Sequence, residues 1–156
     1  MKLKRTLFVF LFCIALLSGC AGKDNPYKGI EKKDIAQVNS ASNLEFVNEY
    51  RGYNDNWAAV YIVFKLKDNA NHTAKLQIKY IGEEAIKPGE LKYSFNTLGG
   101  GDGNGVLRTT DSVDGIFNLG STESNGSVAS PNSIVKVQLQ WNGKTDTIDL
   151  HPAETK

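Results

Sequence analysis

From residue 44 onward the pattern changes to period two in one short segment after another, and this alternation restricts the fold more than any other feature of the 156-residue chain. Over residues 57–66 one face carries Ala58, Val60, Ile62, Phe64 and Leu66, and the other Trp57, Ala59, Tyr61, Val63 and Lys65. Both faces are mostly apolar, as in a central strand covered on both sides. Residues 75–81 alternate in the half-solvated manner, with Leu76, Ile78 and Tyr80 inward and Lys75, Gln77 and Lys79 outward. The polar run 68–71 between these two segments reads as a hairpin turn. Further short strands are expected at 91–95, 106–110, 116–117, 134–141 and 145–150. The last two flank Asn142-Gly143-Lys144, and Asn-Gly between alternating runs is the strongest local hairpin signal. With a segment at 46–53 the count reaches seven to eight strands. No helical period competes after residue 43. The expected class is therefore all-β: an antiparallel β-sandwich, immunoglobulin-like in general build, with a small β-barrel as the alternative. The paired cysteines of a true immunoglobulin domain are absent.

The first twenty residues follow another rule. Lys2, Lys4 and Arg5 precede an eleven-residue apolar run from Leu7 to Leu17, which ends in Ser18-Gly19-Cys20. A membrane span needs about 20 apolar residues, so the run is too short to cross, and it has no polar face to show to water as a core helix would. A basic start, a short apolar stretch and small residues at a boundary describe a secretory signal. Leu17-Ser18-Gly19-Cys20 resembles the lipobox of a bacterial lipoprotein. The resemblance covers residues 1–20 and implies cleavage before Cys20, a lipid on Cys20, and attachment to the extracytoplasmic face of the cell membrane without a spanning helix. It divides the chain into a signal peptide (1–19), a lipidated cysteine with a polar tether (20–43) and a β domain (44–156). Cys13, the other cysteine, would leave with the signal, so the remaining chain would have no free thiol and no disulfide.

Loss of the signal also changes the charge. The 18 basic residues fall to 15 against 17 acidic ones, so a formal +1 becomes −2. No basic patch for nucleic acid exists, and Lys32-Lys33 is a local pair only. In the tether, Asp24-Asn25-Pro26 disfavours regular structure, whereas Ile30, Ile35 and Val38 are spaced to dock a short helical or extended segment on the domain. At about 3.3 Å per residue, a free tether of this length would hold the domain several tens of ångströms from the bilayer.

Few residues invite chemistry. The segment Gly99-Gly100-Gly101-Asp102-Gly103-Asn104-Gly105 has neither the Lys-Ser/Thr ending of a phosphate loop nor the βαβ setting of a dinucleotide site, and is expected to be a flexible or tightly turned connection. Asp102 and Asn104 are spaced like the first ligands of a calcium loop, but Val106 and Val113 occupy later ligand positions. His72, expected in a turn, and His151 stand alone and make no zinc site. No Gly-x-Ser-x-Gly elbow occurs, and Glu83-Glu84, which could serve glycoside hydrolysis, lies beside a turn. Nothing calls for a cofactor, and a non-catalytic role is expected.

A binding surface is better supported. Residues 49–57 collect Tyr50, Tyr53, Asn54, Asn56 and Trp57, and aromatic faces with amides suit sugar or peptide ligands. The opposing expectation is that Trp57 and one tyrosine are core and that residues 54–56 form only a turn. The run from Tyr53 to Trp57, residues 76–82, the glycine segment and residues 137–150 also resemble small uncharacterised lipoproteins of Bacillus-type Gram-positive bacteria. That resemblance implies an envelope location and no mechanism. The expected role is a lipid-anchored interaction module with a cell-wall or envelope-protein ligand. The alternatives are a metal-dependent or hydrolytic envelope enzyme and an inhibitor- or immunity-type lipoprotein.

Overall fold

A computed structural model describes residues 25–40 and 42–154; Cys20 and the signal segment lie outside them. Eight antiparallel strands follow one another: β1 (Leu44–Tyr53), β2 (Trp57–Leu66), β3 (His72–Tyr80), β4 (Glu90–Thr97), β5 (Gly101–Arg108), β6 (Ile116–Ser124), β7 (Val135–Trp141) and β8 (Lys144–Pro152). They form one sheet in the order β5-β4-β7-β8-β1-β2-β3-β6. The sheet curls into a nearly closed, barrel-like shape, so that its two halves face each other as the layers of a sandwich do. The all-β antiparallel class expected from the alternation is present.

The join between the halves is short. Only Tyr50↔Pro152 and Arg51↔His151 pair β1 with β8, extended by Ala153 N–H donating to the Glu49 carbonyl at 2.8 Å. Gly52 permits this approach, since a Cβ there would overlap the Asp149 carbonyl oxygen and meet Leu150 Cδ2 at 2.9 Å. Across the interior, Trp57, Tyr61, Leu76 and Ile78 of one half pack with Leu91, Val137, Leu139, Trp141 and Leu150 of the other. Tyr93 ties β4 to β6, its hydroxyl donating to the Leu119 carbonyl at 3.1 Å.

β2 is buried along most of both faces, as its composition requires. Its outer residues Ala58, Val60, Ile62 and Phe64 lie under Ile30, Ile35 and Val38, carried by a 3-10 turn (Lys32–Asp34) and the single-turn helix α1 (Ala36–Asn39). Burying each of those three side chains is worth about 1.5–3 kcal/mol. Polar contacts fix the strap in register. Arg51 reaches Glu49 at 2.8 Å and Glu31 at 3.5 Å, Lys75 Nζ donates to Gln37 Oε1, and Lys79 Nζ donates to the Lys28 carbonyl, each at 2.8 Å. A hydrogen bond from Lys33, outweighing partial burial, holds the Glu31 carboxyl below its usual range. The packed unit thus begins near residue 27, so most of the 20–43 segment expected to be tether is part of the domain.

Three local expectations are corrected. The glycine segment is not a loop, because Gly101–Arg108 is the edge strand β5. Gly103 and Gly105 lie opposite Phe95 and Tyr93 and beneath their rings; a Cβ at Gly103 would meet Phe95 Cε1 at 2.5 Å, and one at Gly105 would meet the Tyr93 hydroxyl at 2.7 Å. The glycines are vacancies for two aromatic rings, a use that composition alone disguises as flexibility. β6 continues to Ser124, well past the expected 116–117 strand; it is solvated over its second half, so no apolar alternation marks it. His72 opens β3 and is buried, rather than lying in an exposed turn. The Asn142-Gly143 hairpin forms as expected, with φ of 47° and 73° at its two centre residues.

Because the two rings fill the Cβ positions, Gly103→Ala and Gly105→Ala should each destabilise the chain by about 1–3 kcal/mol in urea unfolding, whereas Asn104→Ala between them should stay within about 0.5 kcal/mol of the parent. Equal effects at all three positions would contradict this packing.

Candidate functional site

At one end of the sheet the β1–β2 turn, the end of β3 with residues 81–84, and the β7–β8 hairpin converge around an open groove of about 820 Å³. The β1–β2 turn is built by Asn54, whose Oδ1 accepts from the backbone N–H groups of Asn56 at 3.0 Å and Trp57 at 2.9 Å. This is the Asx geometry that makes asparagine a turn residue. Its Nδ2 points across to Asp146 Oδ1 at 3.4 Å, joining the β1–β2 turn to β8.

Asp146 holds the wall of the groove. Its other oxygen accepts the indole N–H of Trp141 at 2.8 Å. The Trp141 ring packs edge-on against Trp57 at 5.6 Å and Tyr80 at 5.4 Å, and Trp57 meets Tyr80 at 5.1 Å. Edge-to-face pairs of this kind add about 0.5–1.5 kcal/mol each beyond area burial. Lys144, cross-strand from Trp141, places its ammonium 5.8 Å from the centre of the indole ring. A Cβ at position 82 would overlap the Tyr80 hydroxyl, so glycine there lets the Tyr80 ring keep its place against Trp57 and Trp141. Burial, then the negative charges of Glu84 and Asp146, push the Tyr80 hydroxyl above its usual range.

Of the sequence candidates, Tyr53, Asn54 and Asn56 line this groove, and Tyr53 is 58% exposed. Tyr50 and Trp57 do not. Both are fully buried in the core, and the Tyr50 hydroxyl donates to the Ser130 carbonyl at 2.8 Å, pinning the loop before β7. In an alternating strand neighbours point to opposite faces, so a run of close-set aromatics cannot all face a ligand. Tyr80, Trp141, Lys144 and Asp146 escape a sequence reading because they lie far from residues 49–57 in the chain; the Asn-Gly hairpin, which sets Trp141 opposite Lys144, is the available signal. Glu83 and Glu84, weighed in the sequence as an acidic pair beside a turn, stand at the groove with them.

Asp102 and Asn104 lie elsewhere, on the exposed outer face of β5 beside Ser94, Asn96 and Gln138. Among the described residues no three His, Cys, Asp or Glu side chains are grouped so as to hold a metal ion. His151 is exposed on β8. Among the same residues no helix is long and apolar enough to cross a membrane. Comparison of the chain with protein-family models, curated proteins and solved structures finds no match.

Asp146→Ala should leave the buried Trp141 indole N–H without its acceptor and cost about 1–3 kcal/mol in unfolding free energy, with a shifted fluorescence maximum because only two tryptophans emit. Asp55→Ala, exposed on the rim, should leave both unchanged. An Asp146 variant as stable as the parent would remove the hydrogen bond from the account of the groove.

Proposed function

We propose that the chain is a lipid-anchored, extracytoplasmic binding protein, attached through Cys20 and using the groove at the β1–β2 turn to hold a ligand at the cell envelope without chemical conversion. The observation that carries the reading is the convergence of an exposed tyrosine, amides and an indole wall in one open groove. Aromatic surface supplies contact area at small entropic cost, and Asn56 and the rim carboxylates supply directional hydrogen bonds. The basic start, the apolar run and Leu17-Ser18-Gly19-Cys20 support the address. The membrane is then the first partner, through the lipid on Cys20, and a cell-wall component or envelope protein the second. Lipid chains contribute about 0.8 kcal/mol per buried methylene, so two or more anchor stably where one does not.

The test is carried out on the full chain in a bacterial host that processes lipoproteins. The parent should fractionate with membranes and show the mass of a chain cut before Cys20 and acylated. Cys20→Ala should lose both the added mass and the membrane association. Tyr53→Ala should keep the anchor and lower retention on isolated envelope fragments severalfold. An unmodified parent chain would overturn the anchor, and undiminished retention by Tyr53→Ala would overturn the groove as the ligand site.

A further inference from the structure

Three features of the groove bear on what it takes. The first is its charge. Asp55, Glu83 and Glu84 stand on its rim, and none has an ion-pair partner within 4.0 Å among the described residues. Of the two lining lysines, Lys79 donates to the Lys28 carbonyl. The second is Lys144, whose ammonium rests 5.8 Å over Trp141. The indole face already attracts a cation, and the chain's own ammonium stands where a ligand's would bind. The third is position. Asn25 and Pro26 line the groove, and Asn25 is five residues after Cys20. Five residues span at most about 18 Å, so a lipid on Cys20 keeps the groove within that distance of the bilayer surface.

We infer that the groove binds the ammonium end of a zwitterionic phospholipid headgroup in the bilayer that carries the anchor. The inference rests on the proposed lipidation of Cys20. The ligand's ammonium takes the place of Lys144 over Trp141, in a groove that Tyr53 and the carboxylates of Asp55 and Glu84 also line. The displaced Lys144 ammonium is then free to pair with the headgroup phosphate. A desolvated cation over tryptophan is a favourable contact, and the exchange gives the rim carboxylates and Lys144 each an opposite charge that neither has without the ligand. A soluble amine would satisfy the same chemistry; the short reach to the membrane favours the lipid.

The experiment titrates the full chain, in nonionic detergent, with ethanolamine, glycerophosphoethanolamine and inorganic phosphate, following tryptophan fluorescence. Both amines should bind saturably and phosphate should not. Replacing the rim carboxylates together (Asp55→Asn with Glu84→Gln) should weaken both amines about tenfold, and Lys144→Gln should tighten ethanolamine by a few-fold by removing the internal competitor. Phosphate binding as strong as that of the amines, or amine affinity unmoved by the carboxylate replacement, would overturn the cation site. With the chain in vesicles, phosphatidylethanolamine added to phosphatidylglycerol should abolish the response to soluble amine. An undiminished response would overturn the bilayer as the source. The soluble titration needs no lipid on the protein and an intact mass reports the anchor, so failure of the headgroup site and failure of the anchor are told apart.

Discussion

Trp141 is where the core and the groove meet. Its ring is fixed at one edge by the hydrogen bond from its indole N–H to Asp146 and on its flanks by edge contacts to Trp57 and Tyr80. Since Trp57 is buried among the side chains of both halves of the sheet, the groove wall is an extension of the interior packing rather than a loop laid on the surface. A wall held this way loses little freedom when a ligand arrives, and that lowers the entropic cost of binding. The same dependence runs outward: Asp146 also receives Asn54, whose carbonyl oxygen forms the β1–β2 turn, so the amide side of the groove and its aromatic side share one carboxylate.

The two halves of the sheet that supplies this arrangement are joined economically. A two-residue pairing joins its halves, made possible by the missing side chain at Gly52, and glycines at 103 and 105 admit the rings of Phe95 and Tyr93 on the far side. On the outside, the strap of residues 27–40 seals the apolar face of β2 and brings the chain back beside the groove, where Tyr27 meets Tyr53 edge-on at 5.9 Å. With the strap docked, residues 27–40 belong to the packed unit instead of a polar tether. An anchor at Cys20 would therefore govern orientation as well as location.

Much of the fold is legible in the sequence because the alternation is strong where burial is strong. The bounds of β2, its burial on both faces, the docking of Ile30, Ile35 and Val38, and the Asn-Gly hairpin all follow from local pattern. The pattern fails where a strand carries no inward bulk. β5 reads as loop because its inward positions are glycines filled by rings from β4, and the later half of β6 reads as loop because water covers it. The site is legible only in part. Tyr53, Asn54 and Asn56 share a local turn signal, but their partners Tyr80, Trp141 and Lys144 arrive through register and sheet closure, which single-strand patterns do not carry. Tyr50 and Trp57 show the reverse failure: aromatic density in sequence stands for core as readily as for surface.

A lipid on Cys20 would hold the groove end of the sheet against the membrane. Spin labels at Asp55, in the β1–β2 turn, and at Asn69, in the turn at the far end of β2, are separated by a ten-residue strand of about 33 Å. Relaxation of each label by a paramagnetic lipid headgroup, measured on the full acylated chain in vesicles, tests the claim directly. Strong relaxation is expected at position 55 and little at position 69. Equal relaxation at both positions, or stronger relaxation at 69, would contradict it.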